Sequence, residues 1–156
     1  MANDRYERID YIRSVERQYL VVSAAMERLA IAVADGRDVM PPNTSVRDLV
    51  ASRRQLEATF LIRMWAEFES AVRSYHGWLQ NDPSPRVRAI DLVNSVFAGR
   101  HGRAVLDRVR TEVHEVREYR NALVHDRDEV VLPVELSEAR RRLNVYLGTK
   151  LPERWG

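Results

Sequence analysis

Residues 45–79 read SVRDLVASRRQLEATFLIRMWAEFESAVRSYHGWL. Apolar side chains recur at Leu49, Leu56, Phe60, Met64, Phe68, Val72 and Tyr75, in steps that place them on one stripe of a single long α-helix. Ser45 and Asp48 have the spacing of a capping box at its start. Asn81-Asp82-Pro83 supplies the stop. A helix of about 30 residues or more, at least roughly 45 Å at 1.5 Å per residue, is longer than one small core needs. The overhang points to a second copy packed alongside.

The rest of the chain has the same periodicity. From about Asp4 to Ala34, the residues Ile9, Ile12, Tyr19, Met26, Leu29 and Val33 mark another long helix, closed by Asp35-Gly36 and kept closed by Pro41-Pro42. Ser84-Pro85 suits the first turn of a shorter third helix, and Gly99 its end. A fourth runs from about Arg103 to Leu123 or Val124. A charged connection, Asp126 to Pro133, leads to a fifth from about Glu135 to Leu147, with Leu136, Ala139, Leu143 and Tyr146 on its stripe. No stretch alternates with period two, and there is no internal repeat, low-complexity tract or linker. The expectation is one all-α domain over residues 1–156, an up-and-down bundle of four to five helices, two of them long.

Composition narrows the function classes. The 156 residues include 45% apolar and 31% charged side chains, enough for a real core and unlike a disordered chain. With no cysteine, disulfide scaffolds, thiolate metal sites and a cysteine nucleophile are excluded. Apolar runs are too short to span a bilayer. The opening Met1-Ala2-Asn3-Asp4-Arg5 lacks the order of a secretory signal, so a soluble cytoplasmic protein without membrane partners is expected. The 25 basic and 23 acidic residues nearly balance, which argues against duplex DNA held mainly by charge. Lys150 is the only lysine among those basic residues; the others are arginine. A GC-rich genome is the simpler cause, and guanidinium forks that grip phosphate are the functional one.

One helix breaks its own pattern. On the fourth helix the inward positions are Val109, Val113, Val116, Arg120 and Leu123. At 100° per residue they fall at roughly 0°, 40°, −20°, 20° and −40° about the axis. Arg120 is therefore central on an apolar stripe, although arginine keeps its charge and is expensive to bury unpaired. An acid or a phosphate should meet it. His125 lies five residues on, about 140° away on a continued helix; only unwinding near Val124 would turn its imidazole back toward the guanidinium.

The run Arg120-Asn121-Ala122-Leu123-Val124-His125 resembles the R-N-x-x-x-H motif of HEPN domains, small all-α proteins of prokaryotic defence and toxin–antitoxin systems and of eukaryotic RNA processing. Motif position fits too, late in the chain with one helix after it. Trp65-Ala66-Glu67-Phe68-Glu69 is similar to the aromatic-acidic segment many HEPN proteins carry opposite the motif. The resemblance implies metal-independent RNA cleavage, no cofactor, a homodimer that brings two motifs face to face, and a toxin or phage-defence role with a cognate antitoxin protein. HEPN toxins that are paired with a nucleotidyltransferase usually have tyrosine two residues beyond the histidine. Arg127 stands there instead, so control through that tyrosine is not expected.

The residue chemistry agrees with this class. Neither H-E-x-x-H nor a tight Asp/Asn loop is present. Attack by a ribose 2′-OH needs a base, positive charge on the phosphorane and an acid for the leaving oxygen. Histidine titrates near the working pH, and arginine is a permanent bidentate clamp. His125 is thus the candidate general base or acid, Arg120 the phosphate and transition-state stabiliser, and Asn121 the orienting group. Glu69, with Glu67 as substitute, is a candidate partner for Arg120 or His125, unless these acids pair with Arg63 and Arg73. Tyr119 is a candidate base-stacking residue or ordinary packing.

Elsewhere the ordinary readings apply. Trp65, Trp78 and Trp155 read as packing, His76, His101 and His114 as surface or flank residues, and Arg140-Arg141-Arg142 as a solvated face or an RNA-backbone contact. Two rival classes remain: a catalytically silent HEPN-like module that binds RNA or a protein partner, and an unrelated helical adaptor.

Overall fold

The computed structural model describes residues 3–82, 86–95, 107–125 and 131–156. Among them the chain is all-α apart from two very short strands. The order is β1 (Asn3–Asp4), α1 (Arg5–Ala34), α2 (Val46–Gln80), α3 (Ala89–Ser95), α4 (Asp107–His125), α5 (Leu136–Lys150) and β2 (Arg154–Trp155). The Ser84-Pro85 start, the Gly99 stop and His101 fall outside the described residues.

Helix ends follow local chemistry. Asp4 accepts from the Tyr6 backbone N–H at 2.7 Å and caps α1. Ser45 and Asp48 form the expected reciprocal box on α2, with Ser45 N donating to Asp48 Oδ2 at 2.8 Å. Asn81 ends α2 in the left-handed region at φ 54°, a conformation asparagine tolerates better than most residues.

The buried stripe of α2, from Leu61 through Met64, Trp65, Phe68, Ala71 and Val72 to Tyr75, is the wall against which the other helices pack. α1 contributes Ile12 and Val15, α3 Leu92 and Val93, α4 Val113 and Val116, and α5 Leu143, Tyr146 and Leu147. The expected α1 stripe is only partly core. Beyond Tyr19 this helix runs beside the first half of α2 as a two-helix arm, where Leu20, Val21, Ile31, Val46 and Val50 are exposed.

Two features lay outside the sequence reading. Asn3–Asp4 pairs antiparallel with Arg154–Trp155, which joins the two ends of the domain. Two-residue strands are too short to leave a periodic signature. Trp155 is buried against Tyr75, with Nε1 donating to Ser74 Oγ at 3.2 Å, so its packing role holds. Arg5 Nη1 donates to the carbonyls of Leu151 (3.0 Å) and Gly148 (3.3 Å), a cation at the C-terminal end of α5 where the helix dipole favours it.

The three consecutive arginines of α5 are ion-paired rather than merely solvated. Arg140 reaches Glu16 of α1 (2.6 Å), Arg141 and Arg142 share Glu138 (2.6 and 2.7 Å), and Arg142 also meets Glu115 of α4 (2.5 Å). Hydrogen bonds from Arg141 and then Arg142 hold the Glu138 carboxyl down at about 2. Its folded value lies below the unfolded one, so the linked stability is present above about pH 4.5 and lost as pH falls toward 2. Glu138→Gln should therefore flatten the acid limb of a melting-temperature profile between pH 4.5 and 2; two superimposable limbs would exclude the linkage.

Candidate functional site

α4 is placed by Val113 and Val116, both fully buried, with Val109 and Tyr119 packed at the rim of the core. Arg120 shares that face, about 20° from its centre by helical phase. The side chain is half-buried. Its Nε is shut off from solvent and finds no hydrogen-bond partner, while Nη1 donates to Asn121 Oδ1 at 3.0 Å. Among the described residues no carboxylate forms an ion pair with it. The guanidinium therefore retains unspent donors beside the core, held in place by the asparagine that follows it.

His125 ends α4 and is exposed. The helix stays regular through this residue, so the unwinding that would swing the imidazole back does not occur, and Arg120 and His125 diverge by about 140°. His125 shares its face with Glu118, one heptad earlier. Glu118, Glu115 and Arg142 line a cavity of about 660 Å³ against residues 131–134. Leu123, expected on the inward stripe, is 36% exposed, because the end of α4 has already left the core. Val124 beside it is also exposed.

Of the supporting residues, Glu69 and Tyr119 take the structural places that the sequence also allowed. Glu69 accepts from Arg73 (2.6 Å) and from Trp65 Nε1 (3.1 Å), which commits its carboxylate to α2 instead of Arg120 or His125. Glu67 is half-exposed and forms no hydrogen bond or ion pair among the described residues. Tyr119 packs at the core rim, as ordinary packing would have it. Arg127 lies outside the described residues. Among them, no three His, Asp or Glu side chains gather as metal ligands.

Of the residues given no role, Lys150 was overlooked and the two described histidines other than His125 differ in burial. His76, read as a surface or flank residue, is buried in α2. His114 is half-buried with Nε2 3.0 Å from Asn94 Oδ1 of α3, and burial holds its imidazole below the ordinary value. Lys150 is 2% exposed at the end of α5, and burial, reinforced by Arg110, brings its ammonium down to about 8. The signal for Lys150 was legible: it extends the Leu136, Ala139, Leu143, Tyr146 stripe by one more turn.

No family model, curated protein or solved structure matches this chain.

A half-buried cation with an unsatisfied donor costs stability. Arg120→Met should thus fold normally by circular dichroism and gain about 1 kcal/mol in a denaturant titration. A loss of similar size would mean that a carboxylate does neutralise the guanidinium.

Proposed function

We propose that the chain is a metal-independent endoribonuclease of the HEPN type, a toxin or phage-defence component that cuts single-stranded or loop RNA. The observation that carries this reading is Arg120, a guanidinium on the apolar face of α4 whose recorded partner is Asn121 and which no described carboxylate neutralises. A phosphodiester is the kind of group that would satisfy it.

In this reading one His125 takes the proton of the ribose 2′-OH as its oxygen bonds to phosphorus. Arg120 stabilises the charge on the phosphorane, and a second His125 protonates the 5′-oxygen as the P–O bond breaks. The divergence of Arg120 and His125 within one chain makes a second copy necessary, each copy offering its histidine to the other's arginine. Exposed Leu123 and Val124, next to His125, give that copy apolar surface to cover. Unpaired RNA suits the in-line attack because its backbone is free to adopt the geometry. A cognate antitoxin would act by covering the same end of α4.

The same divergence favours one other reading, a silent HEPN-like module that binds RNA or a protein partner through Arg120 without cutting it.

Incubated with an unstructured RNA, the protein should shorten it in the presence of EDTA and leave a 2′,3′-cyclic phosphate. Arg120→Ala and His125→Ala should each slow cleavage by about a hundredfold or more while the mass in solution remains that of a dimer. Strict dependence on added metal, or an unchanged rate in either variant, would overturn the mechanism. Binding without any shortening would establish the silent module.

A further inference from the structure

The other end of the bundle holds a cavity of about 460 Å³, lined by Tyr75 and Trp78 of α2, Lys150 and Leu151 at the end of α5, Arg5 of α1, and Glu153. That volume is in the range of small-ligand sites. Trp78 stacks on Tyr75 with ring centroids 5.8 Å apart and planes inclined at 23°. Tyr75 is buried, yet Trp78 is 45% exposed, whereas Trp65 and Trp155 are both buried. The indole is therefore braced from behind and open to the cavity's solvent side.

Two cations share the wall. The Arg5 side chain is held by the α5 carbonyls, and Lys150 is the one ammonium in a chain that otherwise uses guanidinium. Arg110 of α4 acts on Lys150 as well, and Glu153, mostly in solvent, pairs with Arg5 at 3.9 Å, so three cations here face one exposed acid. A flat exposed ring beside fixed positive charge matches a ligand that is planar at one end and anionic at the other.

We infer that this cavity binds a nucleotide unit, with the base stacked on Trp78 and the phosphate held by Lys150 and Arg5. The unit comes either from a free nucleotide or from an unpaired RNA strand, and the strand form rests on the RNA-directed reading above. Arg110 and Arg120 are separated by about 15 Å along α4, so a strand would meet this anchor well away from the motif. Base–aromatic stacking tolerates any sequence, which suits an anchor more than a reader of sequence.

The test titrates the full chain with adenosine, AMP and a fully 2′-O-methylated oligoadenylate, which cannot be cleaved, and follows tryptophan fluorescence. Because Trp78 is the exposed tryptophan, saturable quenching is expected with AMP or the oligomer, and weaker quenching with adenosine. Trp78→Leu should abolish the quenching and raise the Kd about tenfold by calorimetry, while Trp78→Phe should retain most of the affinity. Lys150→Met, which replaces a buried charge by an apolar chain of similar length, should erase the preference for AMP over adenosine. Quenching by AMP without the oligomer identifies a free nucleotide, and the reverse identifies a strand; either supports the site. Absence of saturable quenching, unchanged affinity in Trp78→Leu, or an intact AMP preference in Lys150→Met overturns it. RNA cleavage without quenching would remove this inference and leave the nuclease, and quenching without cleavage would do the opposite.

Discussion

The aromatic stripe of α2 holds the molecule together. Trp65 and Phe68 pack with centroids 5.1 Å apart, and Phe68 meets Tyr146 of α5 edge-on at 5.3 Å. The Tyr146 hydroxyl donates to the Val93 carbonyl at 2.8 Å, carrying the contact on to α3. Two turns further along α2, Tyr75 packs edge-on against Trp155 at 5.7 Å and so anchors the paired chain ends. Each of these rings removes a large apolar area from water, worth about 1.5–3 kcal/mol apiece. Every other element takes its position from this one helix face, including the two that carry the candidate sites.

α4 receives less from that face than its neighbours do. Val113 and Val116 are its only fully buried described side chains, and both precede the motif. On one flank, Arg141 and Arg142 of α5 tie it down through Glu112 and Glu115. Arg120 has no such counterpart among the described residues. The helix thus enters the core, is pinned in its first half and leaves with its last turn exposed. A guanidinium just past the last buried valine is near enough to the apolar surface to lose solvent and near enough to the edge to be reached. That balance is what the proposed phosphate-binding role of Arg120 would require.

The fold was legible because amphipathic helices advertise their period. Leu136, Ala139, Leu143 and Tyr146 on α5 are all buried as their spacing requires, and the Ser45–Asp48 box forms. Periodicity also had a blind side. It assigned Met26, Leu29 and Val33 to a core stripe, but a stripe says which face is apolar and not how far the neighbouring helices extend, and here they stop short of the arm. The Asn3–Asp4 and Arg154–Trp155 pairing is a contact between chain ends, invisible to any local window. At the site, helical phase located Arg120 at the core edge. For Glu69 it left two kinds of partner open, and the pairing with Arg73 forms, because an acid four residues away on the same helix is nearer than anything on α4.

The continuity of α4 bears most directly on how the motif works. Five residues on a regular helix are about 140° of rotation, so side chains at its two ends face different ways unless the backbone yields. Here it does not yield: Arg120 keeps to the core side, and His125 projects from the final turn. One chain thus presents a cation on one side and a proton carrier on the other. In the proposed nuclease, the two groups would address a single phosphate from different copies, with the exposed Leu123 and Val124 as the surface such a copy would cover. Under the proposed nuclease reading the motif's spacing would suit a shared site better than a monomeric one, because symmetry would supply two histidines where that reaction needs both a base and an acid.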